Sequence, residues 1–197
     1  MGTILLTSTG FRHKVPRETF ESLVIDVCGR SPHIVVIPSG APAKQRGLEE
    51  LMNYLNTLSN HATVLDLHTQ KPEVILDYDV CILGGGSPYV LLTLLRKKGD
   101  AILRKFLLED KLLVGISGGA MVLGKDVAIT PLIHPSLPKP LDFDFKGLGY
   151  IKQNIFPHFD RYALGFYNDR KKSVDDWLAS NEYLGICDEE CVLASYP

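Results

Sequence analysis

Residues 112–120 read LLVGISGGA, and this stretch decides how the chain is expected to fold. The apolar run 112–116 leads into a Gly-x-Ser-x-Gly pattern centred on Ser117, and small residues follow it. The pattern is typical of a nucleophile elbow, in which a sharp turn after a strand lifts a serine above the sheet. The turn strains the backbone at the serine, and the flanking glycines leave room for it. The alternative is a glycine-rich strand-to-helix turn whose serine is incidental.

Strand and helix patterns alternate on the N-terminal side of this stretch. Apolar runs predict strands at residues 3–8, 33–38, 62–67, 79–83 and 112–116. Helical spacing of apolar residues predicts helices at residues 17–28, 47–58, 89–97 and 100–109. This alternation predicts a three-layer α/β fold, with a mostly parallel sheet and helices on both faces. The length of 197 residues favours a single domain that spans residues 1–197.

The pattern becomes looser after Gly124. Prolines at 131, 135, 138 and 140 predict a loop there. The remaining predicted elements are strands at 126–130, 149–156, 183–187 and 191–195 and a helix at 173–179. The acidic turn 188–190 separates the last two strands, so we expect them to pair as a hairpin.

Composition and charge exclude several classes of protein. The net charge of −2 leaves no basic footprint for nucleic acid, and no apolar run approaches the ~20 residues of a membrane span. The four cysteines have no disulfide or zinc spacing, so we expect a cytoplasmic protein without a bound metal. The first residues lack the basic region of a secretory signal.

A serine nucleophile needs a base, and a third group must orient that base. We expect His158 to be the base because it follows an apolar strand, and reactive groups gather beyond the carboxyl ends of strands in parallel sheets. His134 is a reserve candidate near the elbow. Asp188 follows the strand at 183–187 and is the candidate acid, and the neighbouring Glu189 is an alternative.

Backbone donors for an oxyanion are expected at two places. One is the N–H of Gly118, directly after the serine, and the other is the loop Gly84–Gly86, which has no Cβ atoms to block a ligand. A phosphate-binding loop is the alternative for these glycines. However, the loop has neither the Gly-Lys-Ser/Thr ending of a P-loop nor the spacing of a dinucleotide fingerprint.

The glycine loop, the elbow and the segment 154–159 (NIFPHF) occur here in one order. Together they resemble the aspartyl dipeptidase (dipeptidase E) family of serine peptidases, whose fold is class I glutamine amidotransferase-like, a flavodoxin-like arrangement. The resemblance runs through most of the chain, although Ser87 replaces the family's usual Asn and Gly118 its usual Ala. It implies the following roles: Ser117 as nucleophile, His158 as base, Asp188 as acid, Gly86 and Gly118 as oxyanion donors, and Gly85, Ser87 and Arg170 as substrate contacts.

The sequence therefore predicts a serine hydrolase that cleaves small peptides through an acyl-enzyme, with no cofactor and no metal. An acidic first residue in the peptide would suit Arg170. We expect a monomer or homodimer that binds neither nucleic acid nor membrane. Two alternatives stay open: an esterase or other acyl hydrolase with the same triad, and a catalytically silent binding relative. A glutamine amidotransferase is disfavoured because that family carries Cys where this chain has Ser117.

Overall fold

The computed structural model describes residues 1–29, 31–40 and 47–196. The strands in this part of the chain are β1 (Thr3–Thr7), β2 (Ile34–Ile37), β3 (Ala62–Val64), β4 (Val80–Leu83), β5 (Leu112–Ile116), β6 (Asn154–Pro157), β7 (Tyr183–Ile186) and β8 (Cys191–Ser195). Six of them form the main sheet in the order β3-β2-β4-β5-β1-β8. The first five strands run parallel, and β8 runs antiparallel along the edge of β1.

Helices cover both faces of the main sheet. They are α1 (Lys14–Cys28), α2 (Leu48–Leu58), α3 (Pro88–Leu94), α4 (Asp100–Leu108), α5 (Gly118–Met121), α6 (Thr130–Ile133), α7 (Asp160–Ala163) and α8 (Lys171–Ser180). Alternate side chains of β1 point to opposite faces: Leu5 packs with α1 and α2, whereas Ile4 and Leu6 join the core beneath α3 and α4. The predicted three-layer α/β architecture is thus confirmed.

The predicted hairpin at the C-terminal end is wrong. Strand β7 pairs in parallel with β6 in a separate two-stranded sheet, with Pro157 opposite Ile186. Strand β8 instead pairs with β1, where Leu193 lies opposite Leu5. The short turn between β7 and β8 is typical of a hairpin. In the structure, however, β7 pairs with the edge of β6, and β8 pairs with the edge of β1.

Two other predicted strands are shorter or absent. The strand at 149–156 begins only at Asn154, because the N–H groups of Leu148, Tyr150 and Ile151 donate to carbonyl groups at residues 122–123. At 126–130 the structure has one isolated bridge, Asp126 to Lys146, and helix α6 starts at Thr130. Hydrogen-bonded turns and irregular segments at residues 122–129 and 146–153 therefore replace the expected strands.

The C-terminal ends of four parallel strands meet at one edge of the sheet. The register aligns Thr7 of β1 with Ile116 of β5, and Leu83 of β4 with Gly115 of β5 and Ile37 of β2. The segments that follow these strands therefore lie side by side. No helix in the described ranges is long and apolar enough to cross a membrane.

Candidate active site

Ser117 occupies a strained turn between β5 and α5. Its φ of 49° and ψ of −111° lie in a region that L-residues seldom adopt. Hydrogen bonds hold the residue there from both sides: its N–H donates to the carbonyl of Thr7 at 2.9 Å, and its own carbonyl accepts from Met121 at 3.0 Å. The strained turn predicted from the Gly-x-Ser-x-Gly pattern is confirmed.

The glycines after Ser117 are required by close backbone contacts. A Cβ atom on Gly118 would lie 2.3 Å from the carbonyl oxygen of Gly86, and one on Gly119 would lie 2.1 Å from that of Leu83. Neither approach is compatible with a side chain. The turn is therefore packed directly against the glycine loop after β4, and a Cβ on Gly85 would lie 3.6 Å from the Cβ of Ser117.

His158 brings its imidazole to Ser117. The Nε2 atom lies 3.1 Å from the Ser117 Oγ, and only 8% of the His158 surface is exposed. The residue directly follows β6 and has a φ of 58°, again in the left-handed region. Its backbone N–H donates to the Ser8 Oγ at 2.9 Å, and that hydroxyl donates in turn to the carbonyl of Ile186 at 2.7 Å. Ser8 thus links the ends of β6 and β7 to the end of β1.

Asp188 contacts the other side of the imidazole. Its Oδ1 is hydrogen-bonded to the His158 Nδ1, and its Oδ2 accepts from the Arg161 Nη2 at 3.2 Å. Its backbone is fixed as well, because the N–H donates to Asp160 at 3.1 Å and the carbonyl accepts from the Thr9 hydroxyl at 2.8 Å.

The alternative acid and the reserve base lie elsewhere. The Glu189 side chain is 83% exposed and lies 3.8 Å from the Nδ1 of His13. His134 is half-buried, and burial and the neighbouring His158 lower its pKa, but within the described residues it makes no hydrogen bond to Ser117. The structure therefore brings together Ser117, His158 and Asp188.

The environment favours a neutral imidazole beside an ionised carboxylate. Burial lowers the pKa of His158, and the positive charge of Arg161 lowers it further. The hydrogen bond to Asp188 acts in the opposite direction, but the pKa stays below its usual value. For Asp188, burial alone would raise the pKa, but the hydrogen bond from His158 and the positive charge of Arg161 outweigh burial and lower the pKa. A neutral imidazole at physiological pH is able to accept a proton from the Ser117 hydroxyl.

A cavity of about 760 Å³ opens above these groups. Its size is within the range of small-molecule sites. The segments after β1, β2, β4 and β5 form the wall beside Ser117. Side chains of α1 and α2, both apolar and charged, form another wall. Its lining residues include Phe11, Arg12, Arg17, Leu48, Glu50, Leu51, Tyr54, Gly85, Gly86, Ser117, His158 and Arg161.

Two of the predicted substrate contacts do not reach this cavity. The Ser87 Oγ caps α3 by accepting the N–H of Val90 at 3.5 Å. The Arg170 guanidinium pairs with Asp169 at 2.6 Å and lies 5.7 Å from the centroid of the Tyr167 ring. Neither residue lines the cavity, whereas Gly85 and Gly86 do. The described arginines that line the cavity are Arg12, Arg17 and Arg161.

Several residues of the site were missed by sequence reasoning. Ser8 and Thr9 follow β1, and Arg161 comes three residues after His158. The signal for Ser8 and Thr9 was available, since polar residues at the end of a strand next to β5 face the same edge as the elbow. Arg161 had no such signal, because only the turn into α7 directs its guanidinium back to Asp188.

The described residues include no group of three or more His, Cys, Asp or Glu side chains arranged to hold a metal ion. In the site, a hydroxyl contacts an imidazole, and the imidazole in turn contacts a carboxylate. In serine hydrolases, an arrangement of this kind lets the hydroxyl transfer its proton to the imidazole and act as a nucleophile.

Comparison with known proteins places the fold and the family. The profile of peptidase family S51 matches residues 4–194. A candidate peptidase E protein from Listeria monocytogenes EGD-e superposes with a TM-score of 0.75 at 17% identity, covering 98% of this chain and 94% of that one. A peptidase from an acI-B1 actinobacterium superposes with a TM-score of 0.67 at 20% identity, covering 99% and 84%. These two likenesses concern the fold, and they agree with the expected class I glutamine amidotransferase-like architecture. Among curated proteins, none matches the chain.

Proposed function

The chain belongs to peptidase family S51 and is a serine peptidase, and from this premise we propose that it cleaves small peptides with Ser117, His158 and Asp188 as its catalytic triad. The single observation that carries the proposal is the continuous contact from the Ser117 Oγ through the His158 ring to the Asp188 carboxylate. Three side chains from distant parts of the sequence converge in this order, and Ser117 and His158 line the cavity.

In the first step, His158 Nε2 accepts the Ser117 hydroxyl proton while the Ser117 Oγ attacks the scissile carbonyl carbon. Asp188 stabilises the imidazolium that forms and holds the ring in the tautomer with its proton on Nδ1. The tetrahedral intermediate then breaks its C–N bond, and His158 gives its proton to the leaving amine. The products of this step are a free amine and an acyl ester on Ser117.

In the second step, water takes the place of the leaving amine. His158 removes a proton from the water, which attacks the acyl carbon, and the proton then returns to the Ser117 Oγ. The acid is released and the enzyme regains its starting state. No group outside the chain, apart from the substrate and water, is needed for these proton transfers.

The N–H groups of Gly86 and Gly118 are the proposed donors to the oxyanion. The direct contact between the Gly118 and Gly86 backbones supports this assignment, because it brings the two segments together beside Ser117. One oxyanion donor is worth about 3 kcal/mol of barrier. The geometry of the glycine loop therefore matters for the rate as well as for substrate access.

Covalent labelling combined with a peptide panel tests the proposal. A fluorophosphonate probe is expected to label wild-type protein at Ser117 and to leave Ser117→Ala unlabelled. Dipeptides with acidic, basic or apolar first residues are expected to be hydrolysed by the wild type, with kcat falling on the order of 10⁶-fold in Ser117→Ala. Turnover of simple esters with no turnover of any peptide would contradict the peptidase assignment. Absence of both labelling and hydrolysis would leave a binding protein.

A further inference from the structure

Among the residues that the structure describes, three arginines line the cavity, and they differ in their partners. Arg12 pairs with Glu50 at 2.6 Å, and Arg161 pairs with Asp188 at 3.2 Å. In residues 1–29, 31–40 and 47–196, no carboxylate lies within salt-bridge distance of Arg17. Arg17 is thus the cavity arginine whose charge the described chain leaves unmatched.

The Arg17 guanidinium is nevertheless held in place. Its Nε donates to the carbonyl of Phe11 at 3.0 Å, and its central carbon lies 5.4 Å from the centroid of the Tyr54 ring. The Tyr54 hydroxyl donates to the Glu21 carboxylate at 3.1 Å, and this hydrogen bond fixes the ring. Glu21 lies one turn after Arg17 in α1, and its carboxylate is bound to Tyr54. These contacts use the Nε atom and leave Nη1 and Nη2 of the guanidinium to bind a carboxylate in the bidentate geometry that this group favours.

Aromatic and apolar residues line the cavity on the side of this guanidinium. The rings of Phe11 and Tyr54 lie 5.3 Å apart, and Leu48 and Leu51 line the cavity beside them. A cation with an apolar surface next to it suits a ligand that carries a carboxylate and an apolar side chain on the same residue. The C-terminal residue of a peptide has this combination.

The chain path relates Arg17 to the leaving-group side of Ser117. Ser8 and Thr9 hydrogen-bond to His158 and to Asp188, and Phe11, two residues further, binds Arg17. The leaving amine must lie next to the His158 Nε2, because that atom supplies its proton. From Ser8 to Phe11 the backbone spans at most about 11 Å, so we expect a short leaving group to reach from one contact to the other.

We propose that Arg17 binds the C-terminal carboxylate of the substrate, so that the enzyme selects short peptides that end in an apolar residue. This inference rests on the proposed function and specifies which peptides the cavity accepts. It assigns recognition to the free end of the peptide rather than to an acidic side chain.

The test compares each peptide with its C-terminal amide. Dipeptides Asp-Leu, Ala-Leu and Lys-Leu are assayed as free acids and as amides with wild type, Arg17→Gln, Arg17→Lys and Arg12→Gln. In the wild type we expect kcat/KM for the acid to exceed that for the amide by about 10- to 100-fold, chiefly through KM. The ratio is expected to approach one in Arg17→Gln, to be intermediate in Arg17→Lys, and to persist in Arg12→Gln, the matched control.

Binding provides a readout that does not need turnover. The same acids and amides are titrated calorimetrically into Ser117→Ala with and without Arg17→Gln, and thermal melting verifies that each variant is folded. The acid is expected to bind more tightly than the amide only when Arg17 is present. If Arg17→Gln does not fold, Arg17→Lys supplies the comparison, because it keeps the charge and removes the fork.

Three outcomes would overturn the inference. One is equal hydrolysis and binding of acid and amide by proteins that contain Arg17. Another is an acid-to-amide ratio that Arg17→Gln leaves unchanged. The last is a loss confined to Asp-Leu, which would mean that Arg17 binds an acidic side chain. Fluorophosphonate labelling separates these failures from failure of the proposed function, since an activated Ser117 would still label in all three cases.

Discussion

Asp188 contacts two different side chains through its two oxygens: the imidazole of His158 at Oδ1 and, at 3.2 Å, the guanidinium of Arg161 at Oδ2. Both oxygens of the carboxylate are therefore held by hydrogen bonds. Arg161 also lines the cavity, so the residue that orients the acid is exposed to the substrate as well. We regard Arg161 as a positioning residue in the proposed mechanism.

The first prediction concerns this guanidinium and pH. The activity of the wild type should rise as His158 loses its proton, with an apparent pKa below the usual imidazole range because burial and Arg161 disfavour the charged ring. In Arg161→Gln, loss of the positive charge should raise the pKa of His158, so the acidic limb of kcat/KM moves to higher pH. Asp188 and Asp160 still favour the charged ring in that variant.

The measurement is a pH profile of kcat/KM for wild type, Arg161→Gln and Arg161→Lys. Arg161→Lys retains the charge and should keep the acidic limb closer to that of the wild type. A purely structural role for Arg161 would lower the rate without moving the limb, and that result would contradict the prediction.

The second prediction separates the two neighbouring acids. Asp188→Asn should reduce kcat by roughly 10⁴-fold, because the amide no longer fixes the tautomer of His158 or stabilises its charged form. Glu189→Gln is the matched control, since that side chain is 83% exposed and lies beside His13 rather than His158. Steady-state kinetics on one dipeptide would test both variants, and a larger loss in Glu189→Gln would reverse the assignment.

The third prediction concerns strain at Ser117. A φ of 49° with a ψ of −111° disfavours serine and alanine equally, whereas glycine adopts it readily. The free energy of unfolding should therefore be greater for Ser117→Gly than for Ser117→Ala by about 1 kcal/mol. Chemical denaturation measures the difference, and both variants should be inactive. Equal stability would show that the surrounding turn relaxes when the hydroxyl is removed.

The fourth prediction concerns Ser8. Its hydroxyl accepts from the backbone of His158 and donates to the carbonyl of Ile186, and the residue is buried. Ser8→Ala leaves both groups unsatisfied, so we expect a loss of about 2 kcal/mol in stability and a lower kcat. Ser8→Thr, which restores a hydroxyl, is the comparison. Wild-type stability and kcat in Ser8→Ala would contradict this role.

The sequence allowed the local features of the site to be predicted. Ser117, the glycine loop and the strand end before His158 each depend on a few consecutive residues, because close backbone contacts and strand termini leave a local pattern. The alternation of strands and helices likewise indicated the parallel sheet.

Features that depend on contacts between distant parts of the chain could not be predicted from local sequence patterns. Strand β8 pairs with β1, almost the full length of the chain away, rather than with its neighbour β7. Arg170 had the expected residue type but is held by Asp169, while Arg17 and Arg161 reach the cavity through the packing of α1 and the turn into α7. Side-chain direction in such segments is decided by tertiary contacts that spacing does not encode.

The proposed base and acid both follow strands of the two-stranded sheet, whereas the proposed nucleophile follows a strand of the six-stranded one. A brief separation of β6 and β7 would withdraw both partners of Ser117 together, before the strands of the six-stranded sheet come apart. Enzyme inactivation on gentle heating should therefore precede the loss of global structure, and amide exchange should be faster across β6 and β7 than across β5.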